Sequence, residues 1–324
     1  MNDLCIAVAG CGKWGMNHVR TANALFGDKL KWCCDSDKWS QKKVKEIAPH
    51  CKFTFDLDDI INDSSVNAVI VSTPAETHFD IAKALLKAGK NVLVEKPITL
   101  RSAEAKELHD IAVSKKLVLM VGHLLLYHPA VLKIKQYLDE GKLGKLQYIY
   151  SNRLNLGTIR TEENILWSFA PHDISVIQFF AGGVPEQVEA QGAIFVQKGI
   201  HDTTLTNLVF KENIHAHIFV SWLHPFKEQR LVVIGDKSMM VFEDTLKDNK
   251  LKFYRKGFEL IDGLPVKIDS EFENVDFDNT SPLELEQLHF AECIQNGTAP
   301  RSDGMNAIEV LETLEKAQSI LMNK

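Results

Sequence analysis

The stretch VAGCGKWGMNHVR, residues 8–20, decides how this chain is read. Gly10, Gly12 and Gly15 stand directly after the apolar run LCIAVA and just ahead of residues with helical spacing. Glycine-rich turns are common, so the pattern alone carries little weight. A dinucleotide loop requires a strand, the glycines, a helix and then an acidic residue about 20 positions on. All four are present. Asp35 closes the next apolar run, LKWCCD, 20 residues beyond Gly15. The first glycine lets the chain turn, the second lets backbone approach a pyrophosphate, and the third lets helix and strand pack closely. Backbone N–H groups at the helix start then face the phosphate charge. No G-x-x-x-x-G-K-[ST] occurs, which excludes a P-loop.

Asp35 can accept hydrogen bonds from two ribose hydroxyls, and its charge would repel a 2′-phosphate. Asp37 adds a second carboxylate and Lys38 the only nearby base, so the loop favours NAD over NADP.

Working outward, residues 1–122 alternate short apolar runs with amphipathic stretches. The candidate strands are LCIAVAG, LKWCCD, KFTF, NAVIVST, NVLVEK and LVLMVG. They are almost continuously apolar, as strands buried on both faces of a parallel sheet must be. Between them lie helical patterns such as ETHFDIAKALLKAG, closed by Gly89. This predicts a Rossmann-type doubly wound parallel sheet over 1–122. From 123 to 324 the rhythm changes. A helix in YHPAVLKIKQYLDEG and a strand in KLQYIYSNRLNL lead to a helix around 171–181. Strands then follow in succession, and helical patterns over 283–296 and 304–322 close the chain. Successive strands predict an α+β domain with a mainly antiparallel open sheet.

Bulk properties narrow the function. At 324 residues, 45% hydrophobic and 25% charged, the sequence is that of an ordinary globular protein with room for two cores. A net charge of −6 argues against a sequence-independent nucleic-acid partner. No apolar run reaches the ~18 residues of a membrane span. Asp3 stands where a signal peptide would carry basic residues. The six cysteines include no C-x-x-C pair and read as buried reduced thiols, which suits a cytoplasmic location. His201, His215, His217 and His224 fix no third ligand by spacing, so no metal is expected.

Two further motifs lie at strand ends. STPAETH (72–78) reads as a helix start, with Thr73 as N-cap, Pro74 at the first helical position and Glu76 completing a capping box. VEKP (94–97) puts Lys96 at the carboxyl edge of the sheet, where open α/β sheets bind ligands. GCGKWG, Asp35, STPAETH and VEKP, in this order and spacing, resemble the Gfo/Idh/MocA family of nicotinamide-dependent sugar oxidoreductases. The resemblance covers the whole chain. VGHLLLYHP (121–129) resembles the family's domain junction, APHDISVIQFFAG (170–182) its catalytic helix, and NGTAPRSDGMNAIEVLE (296–312) its closing segment.

The resemblance implies specific roles. NAD would be met by Gly10, Gly12, Lys13, Trp14, Gly15, Asp35, Ser72, Thr73, Pro74, His78, Glu95, Lys96 and Pro97, the last through a turn that a cis bond would shape. Lys96 would also contact the reacting hydroxyl, and His172 would be its catalytic partner. The family places an aspartate four residues before that histidine; here the position holds Ser168. Asp173 lies about 100° around the helix and does not simply replace it. Oxidising a secondary alcohol requires a hydride acceptor and a base. A lysine titrates near ~10.4, and partial burial beside a cationic nicotinamide would bring it down. The segment 152–173 offers Arg153, Arg160, Glu163, Asn164 and Trp167 for anionic and sugar groups, with Tyr127 and His172 beside them. Its wording resembles members acting on nucleotide-linked amino sugars or uronic acids of surface polysaccharides. The family implies a homodimer or homotetramer built through the C-terminal sheet. A sensor that keeps the fold without turnover is the rival reading, and a hydrolase using tightly held NAD transiently is a third. Lys96 and His172 favour the enzyme, and Ser168 speaks for the sensor.

Overall fold

The computed structural model describes residues 4–323, so Asp3 lies outside the described residues. Contacts divide the chain into two units.

The first unit is built on a six-stranded sheet of β1 (Ile6–Ala9), β2 (Leu30–Cys34), β3 (Lys52–Thr54), β4 (Ala68–Val71), β5 (Asn91–Glu95) and β6 (Leu119–Gly122). Its order is β3-β2-β1-β4-β5-β6 and every pairing is parallel. That is the doubly wound order, with its topological switch between β1 and β4. β1, β4 and β6 are buried along their whole length, which is why their sequences lack alternation. The crossovers are α1 (Gly15–Phe26), α2 (Lys38–Ile47), α3 (Asp58–Asn62), α4 (Ala75–Lys87) and α5 (Ser102–Lys115).

The second unit opens with α6 (Pro129–Asp139), whose first position is Pro129 and whose N-cap is His128. β7 (Leu146–Leu154) and α7 (Ile165–Ala181) follow. Next come β8 (Gln187–Ala193), β9 (Thr203–Phe210), β10 (Ile214–Ser221), β11 (Glu228–Gly235), β12 (Met239–Glu243) and β13 (Leu251–Tyr254). β14 (Gly257–Ile261) and β15 (Leu264–Ile268) form a separate hairpin, and β16 (Phe272–Asn274) returns to the main sheet. The sheet order is β16-β13-β12-β11-β7-β10-β9-β8, antiparallel except where β10 runs parallel to β7. Strands β9 and β10 alternate buried and more exposed residues, with α7 lying across their buried side.

Two elements depart from the sequence expectation. α7 begins at Ile165, ahead of the expected 171, because Asn164 caps it and Pro171 is accommodated inside the helix. Beyond residue 279 the chain also does not simply stay with the second domain. α8 (Pro282–Asn296) and the segment to Leu311 cluster with the first unit, while α9 (Gly304–Met322) runs from the first unit into the second. The expected single boundary at 122/123 therefore becomes a break after Tyr127 plus a return of Thr280–Leu311. The physical reason is an edge. Val121 N donates to Ser302 O at 2.8 Å, Ser302 Oγ donates to Val121 O at 2.6 Å, and Met120 bridges Asp303, so the late segment covers β6.

Candidate active site

The carboxyl ends of the first unit's strands surround a cavity of about 700 Å³. Of the residues named for the cofactor, Gly10, Gly12, Lys13, Trp14, Asp35, Ser72, Thr73 and Pro74 line it. The three glycines divide the work. Gly10 has φ +89°, and a Cβ there would lie 2.4 Å from the Ser72 carbonyl. A Cβ on Gly15 would lie 2.0 Å from Gly10 O, so this glycine lets α1 pack on the loop. A Cβ on Gly12 would meet nothing within 4 Å except the cavity that Gly12 itself lines. Gly12 thus leaves the space a pyrophosphate needs. α1 carries no acidic side chain in its first turn and no side-chain cap, so nothing there repels an anion, while Met16 N and Asn17 N already donate to Gly12 O and Trp14 O at 2.9 and 2.8 Å.

Asp35 braces the loop as well as facing the cavity. Oδ2 accepts from Cys11 N at 2.6 Å and Oδ1 from Asp37 N at 2.8 Å. A carboxylate has about four acceptor positions, so ribose hydroxyls can still be accommodated. Sequence reasoning missed Phe55, Leu57 and Ile81, the apolar wall of the cavity. Apolar residues after β3 and on α4 read as core, and only the fold turns them toward a ligand.

Several expected cofactor contacts are structural instead. His78 is 1% exposed, and its ring nitrogens lie 2.8 Å from Pro97 O and Thr73 O, so it ties the two loops together. The expected capping box does not form: Pro74 occupies the cap position without a side-chain bond, and Thr73 Oγ1 accepts from Thr77 Oγ1 at 2.7 Å. Glu95 turns inward, where Oε1 accepts from Trp14 Nε1 at 2.6 Å and lies 2.7 Å from His18 Nε2. Burial alone would push the Glu95 carboxyl up, but His18, the Trp14 indole and Lys96 outweigh it and hold it below the usual range. Lys96 is half-buried directly after it, and the Lys96–Pro97 bond is cis.

Tyr127 is also a correction. It is 1% exposed, its hydroxyl is shared with Ser302 Oγ at 2.8 Å, and burial raises its pKa, so it anchors the closing segment rather than facing a ligand.

In the second unit, Asn164 is spent on the fold: Oδ1 caps α7 by accepting from Trp167 N at 3.2 Å, and Nδ2 donates to Gln318 Oε1 at 2.7 Å. Arg153 is held by Asp173, which also accepts from Ser151 Oγ at 2.5 Å. Burial works against the Arg153 charge, and the Asp173 carboxylate outweighs it. Trp167 and His172 are half-buried on α7, and Ser168 is buried. Arg160 stays open, its side chain 54% exposed and 3.7 Å from Glu163. Among the described residues, no group of three or more His, Cys, Asp or Glu is arranged to hold a metal ion.

Residues 4–123 match the family model described as oxidoreductase family, NAD-binding Rossmann fold, and residues 131–241 match the GFO/IDH/MocA C-terminal domain. The chain belongs to the Gfo/Idh/MocA family. It is a nicotinamide-dependent oxidoreductase acting on CH–OH groups. Among its relatives, scyllo-inositol 2-dehydrogenase (NAD(+)) of Bacillus subtilis is 27% identical, over 94% of this chain and 90% of its own. UDP-N-acetylglucosamine 3-dehydrogenase of Acidithiobacillus ferrooxidans is 28% identical, over 94% and 93%. A crystal structure of the Acidithiobacillus enzyme superposes with a TM-score of 0.86 at 24% identity, covering 99% of this chain and 98% of that one, which shows the shared fold.

The open space at Gly12, the spare acceptor capacity of Asp35 and the first turn of α1, which carries no acidic side chain, fit the family's dinucleotide. The glycine loop around Gly12 would hold the pyrophosphate, at the positive end of α1, and Asp35 the adenosine ribose. When bound, the nicotinamide supplies the hydride acceptor or donor. The chain's own part is to bind, orient and handle the proton.

Proposed function

We propose that this chain oxidises a secondary hydroxyl of a sugar using NAD, and that the sugar is a nucleotide-linked amino sugar or uronic acid. The observation that carries the reading is the arrangement at the sheet edge: the cavity with Gly12 and Asp35 on its wall, and Lys96 at the end of β5. Asp35 and Asp37 both stand at the cavity, which supports NAD over NADP. Lys96 acts as the base for the hydroxyl proton and His172 as its partner. Arg160, exposed before α7, binds anionic groups of the substrate, with Trp167 nearby on the helix. The Acidithiobacillus relative, named for a nucleotide-linked amino sugar, supports that choice of substrate. The enzyme works in the cytoplasm as a homodimer or homotetramer through the face of the second sheet that bears Tyr148, Tyr150 and His217, where the Tyr150 and His217 rings stack at 5.2 Å.

The test is a panel of nucleotide sugars and free sugars incubated with NAD or NADP while the absorbance of reduced cofactor is followed. Turnover with a nucleotide-linked sugar and NAD bears the reading out. Turnover only with a free polyol removes the nucleotide-sugar part, and binding of NAD without any turnover favours the sensor, to which Ser168 points.

A further inference from the structure

α8 brings Glu286 and Gln287 into the interior of the first unit, and the two behave differently. Gln287 is 1% exposed, and its Nε2 donates to His18 Nδ1 at 3.1 Å. The other ring nitrogen of His18, Nε2, lies 2.7 Å from Glu95 Oε1. Glu95 also receives the Trp14 indole and, on Oε2, the Lys96 amide at 3.2 Å. The Glu95 carboxylate therefore ties α8, α1 and the glycine loop to the backbone of Lys96. It leaves little spare room, since a Cβ on Gly122 would lie 3.0 Å from it.

Glu286 is 0% exposed, and neither of its carboxyl oxygens has a hydrogen-bond partner among the described residues. The groups around it offer no counter-charge. His123 is 3% exposed and burial brings its pKa down to about 4, so its ring is neutral. The Tyr127 hydroxyl is taken by Ser302. Arg301 Nη1 donates to Leu126 O, its guanidinium lies over the Tyr127 ring, and His289 Nε2 accepts from Arg301 N. Lys96 and His18 lie with Glu95, whose negative charge acts against a second one. An ionised carboxylate buried without a counter-charge, beside a second carboxylate, is too costly to persist here. Burial first, and Glu95 second, push Glu286 well above the usual carboxylate range. Two carboxyl groups in one interior thus hold opposite states, which is how acid and base roles separate. His123 Nδ1 and Gln287 Oε1 are likewise buried without partners, and such atoms in folded proteins are mostly met by ordered water.

We propose that Glu286 is a positioning residue for the Lys96 edge: a neutral carboxylic acid that donates a hydrogen bond, through a buried water, toward Glu95 and keeps Glu95 ionised beside Lys96. This deepens the assignment of Lys96 as the proton acceptor and rests on it for its relevance to turnover. The proton stays on Glu286 throughout, and no bond is made or broken.

The test uses the full chain and needs no sugar. Infrared spectra at neutral pH show the C=O band of a protonated carboxyl group, shifted in D₂O and missing from Glu286→Gln; a wild type without that band overturns the proposal. NAD binding is then followed against pH by tryptophan fluorescence. Glu286→Gln keeps a donor and retains the wild-type profile. Glu286→Leu loses the donor, so the acid limb moves up by about one pH unit, a tenfold weakening within that limb. Coincidence of all three profiles overturns the proposal. If Glu286→Leu does not fold, melting decides. The native state of the wild type keeps a proton that the unfolded chain releases above about pH 4.5, so its stability falls as pH rises. The Tm advantage of Glu286→Gln over the wild type therefore grows with pH, and a constant difference overturns the proposal. Failure of the sugar reading leaves these signals intact and removes only turnover.

Discussion

Arg153 holds Asp173 with both arms, Nε to Oδ2 at 2.7 Å and Nη2 to Oδ1 at 3.0 Å. The residue that sequence reasoning offers to the substrate is instead bound to the neighbour of His172. It fastens β7 to α7 and fixes how the helix presents the next side chain. Asp173 is 3% exposed and Arg153 only 15%, so each charge depends on the other. Arg153→Ala should therefore cost about 3–5 kcal/mol, the range for a buried pair broken from one side. Arg153→Lys should recover part of this, because a lysine cannot make the bidentate contact. Urea denaturation measures it, and a loss below about 1 kcal/mol would show that the pair is dispensable.

The glycine loop separates binding from folding. Gly12→Ala should fold normally, because its Cβ meets no protein atom, yet weaken NAD by tenfold or more, about 1.4 kcal/mol. Gly10→Ala should destabilise the protein by roughly 1–3 kcal/mol through its positive φ alone, with the Ser72 clash added. Calorimetric titration and melting of both variants check this. Equal binding losses with equal melting losses would dissolve the distinction.

Cofactor choice should rest on Asp35. NAD should bind better than NADP, and Asp35→Ser should narrow the gap by roughly 1.5–3 kcal/mol. Because Asp35 also braces the Cys11 and Asp37 amides, the variant should lose some NAD affinity as well. Wild-type protein that binds both cofactors equally would end this assignment.

Lys96→Ala should slow hydride transfer by at least the ~10²-fold of a positioned acid–base group while leaving NAD affinity nearly unchanged. His172→Ala should also be damaging, and the double variant far less than multiplicatively worse. Lys96→Arg should fail too, since a guanidinium keeps its proton. Single-turnover rates with the true substrate decide, and near-normal transfer in Lys96→Ala would move the weight to the sensor.

Arg160→Ala should weaken substrate and spare NAD, because the side chain is exposed and its only ion pair, among the described residues, is the loose one with Glu163. Competition binding with both ligands distinguishes the cases; a loss confined to NAD would place the substrate elsewhere.

The sheet of the first unit is legible because its signals are local: continuous apolar runs, glycines and one acid at a fixed distance. What Glu95, His78, Tyr127 and Asn164 do is not legible, since residue type reveals a polar group but not its partner. The Tyr127 partner, Ser302, is 175 positions away. Seen only as a sequence, all four resemble ligand contacts. The β14–β15 hairpin escapes for another reason. Phe258 and Leu260 alternate about Glu259, and Leu264, Val266 and Ile268 about Pro265 and Lys267. The register sets these two rows on opposite faces and each strand is only five residues long, so no single apolar face stands out. Its signal is the turn itself, Asp262-Gly263, with φ of 53° and 78°.

The strap that Ser302 and Asp303 lay along β6 bears on how the protein is made. Synthesis begins with the dinucleotide-binding half, yet β6 keeps an open edge, Tyr127 lacks its hydroxyl partner and His18 lacks Gln287 until the ribosome has passed residue 303. The half that emerges first is finished last. A nascent chain halted near residue 280 would carry all six parallel strands and still expose a raw edge to its neighbours.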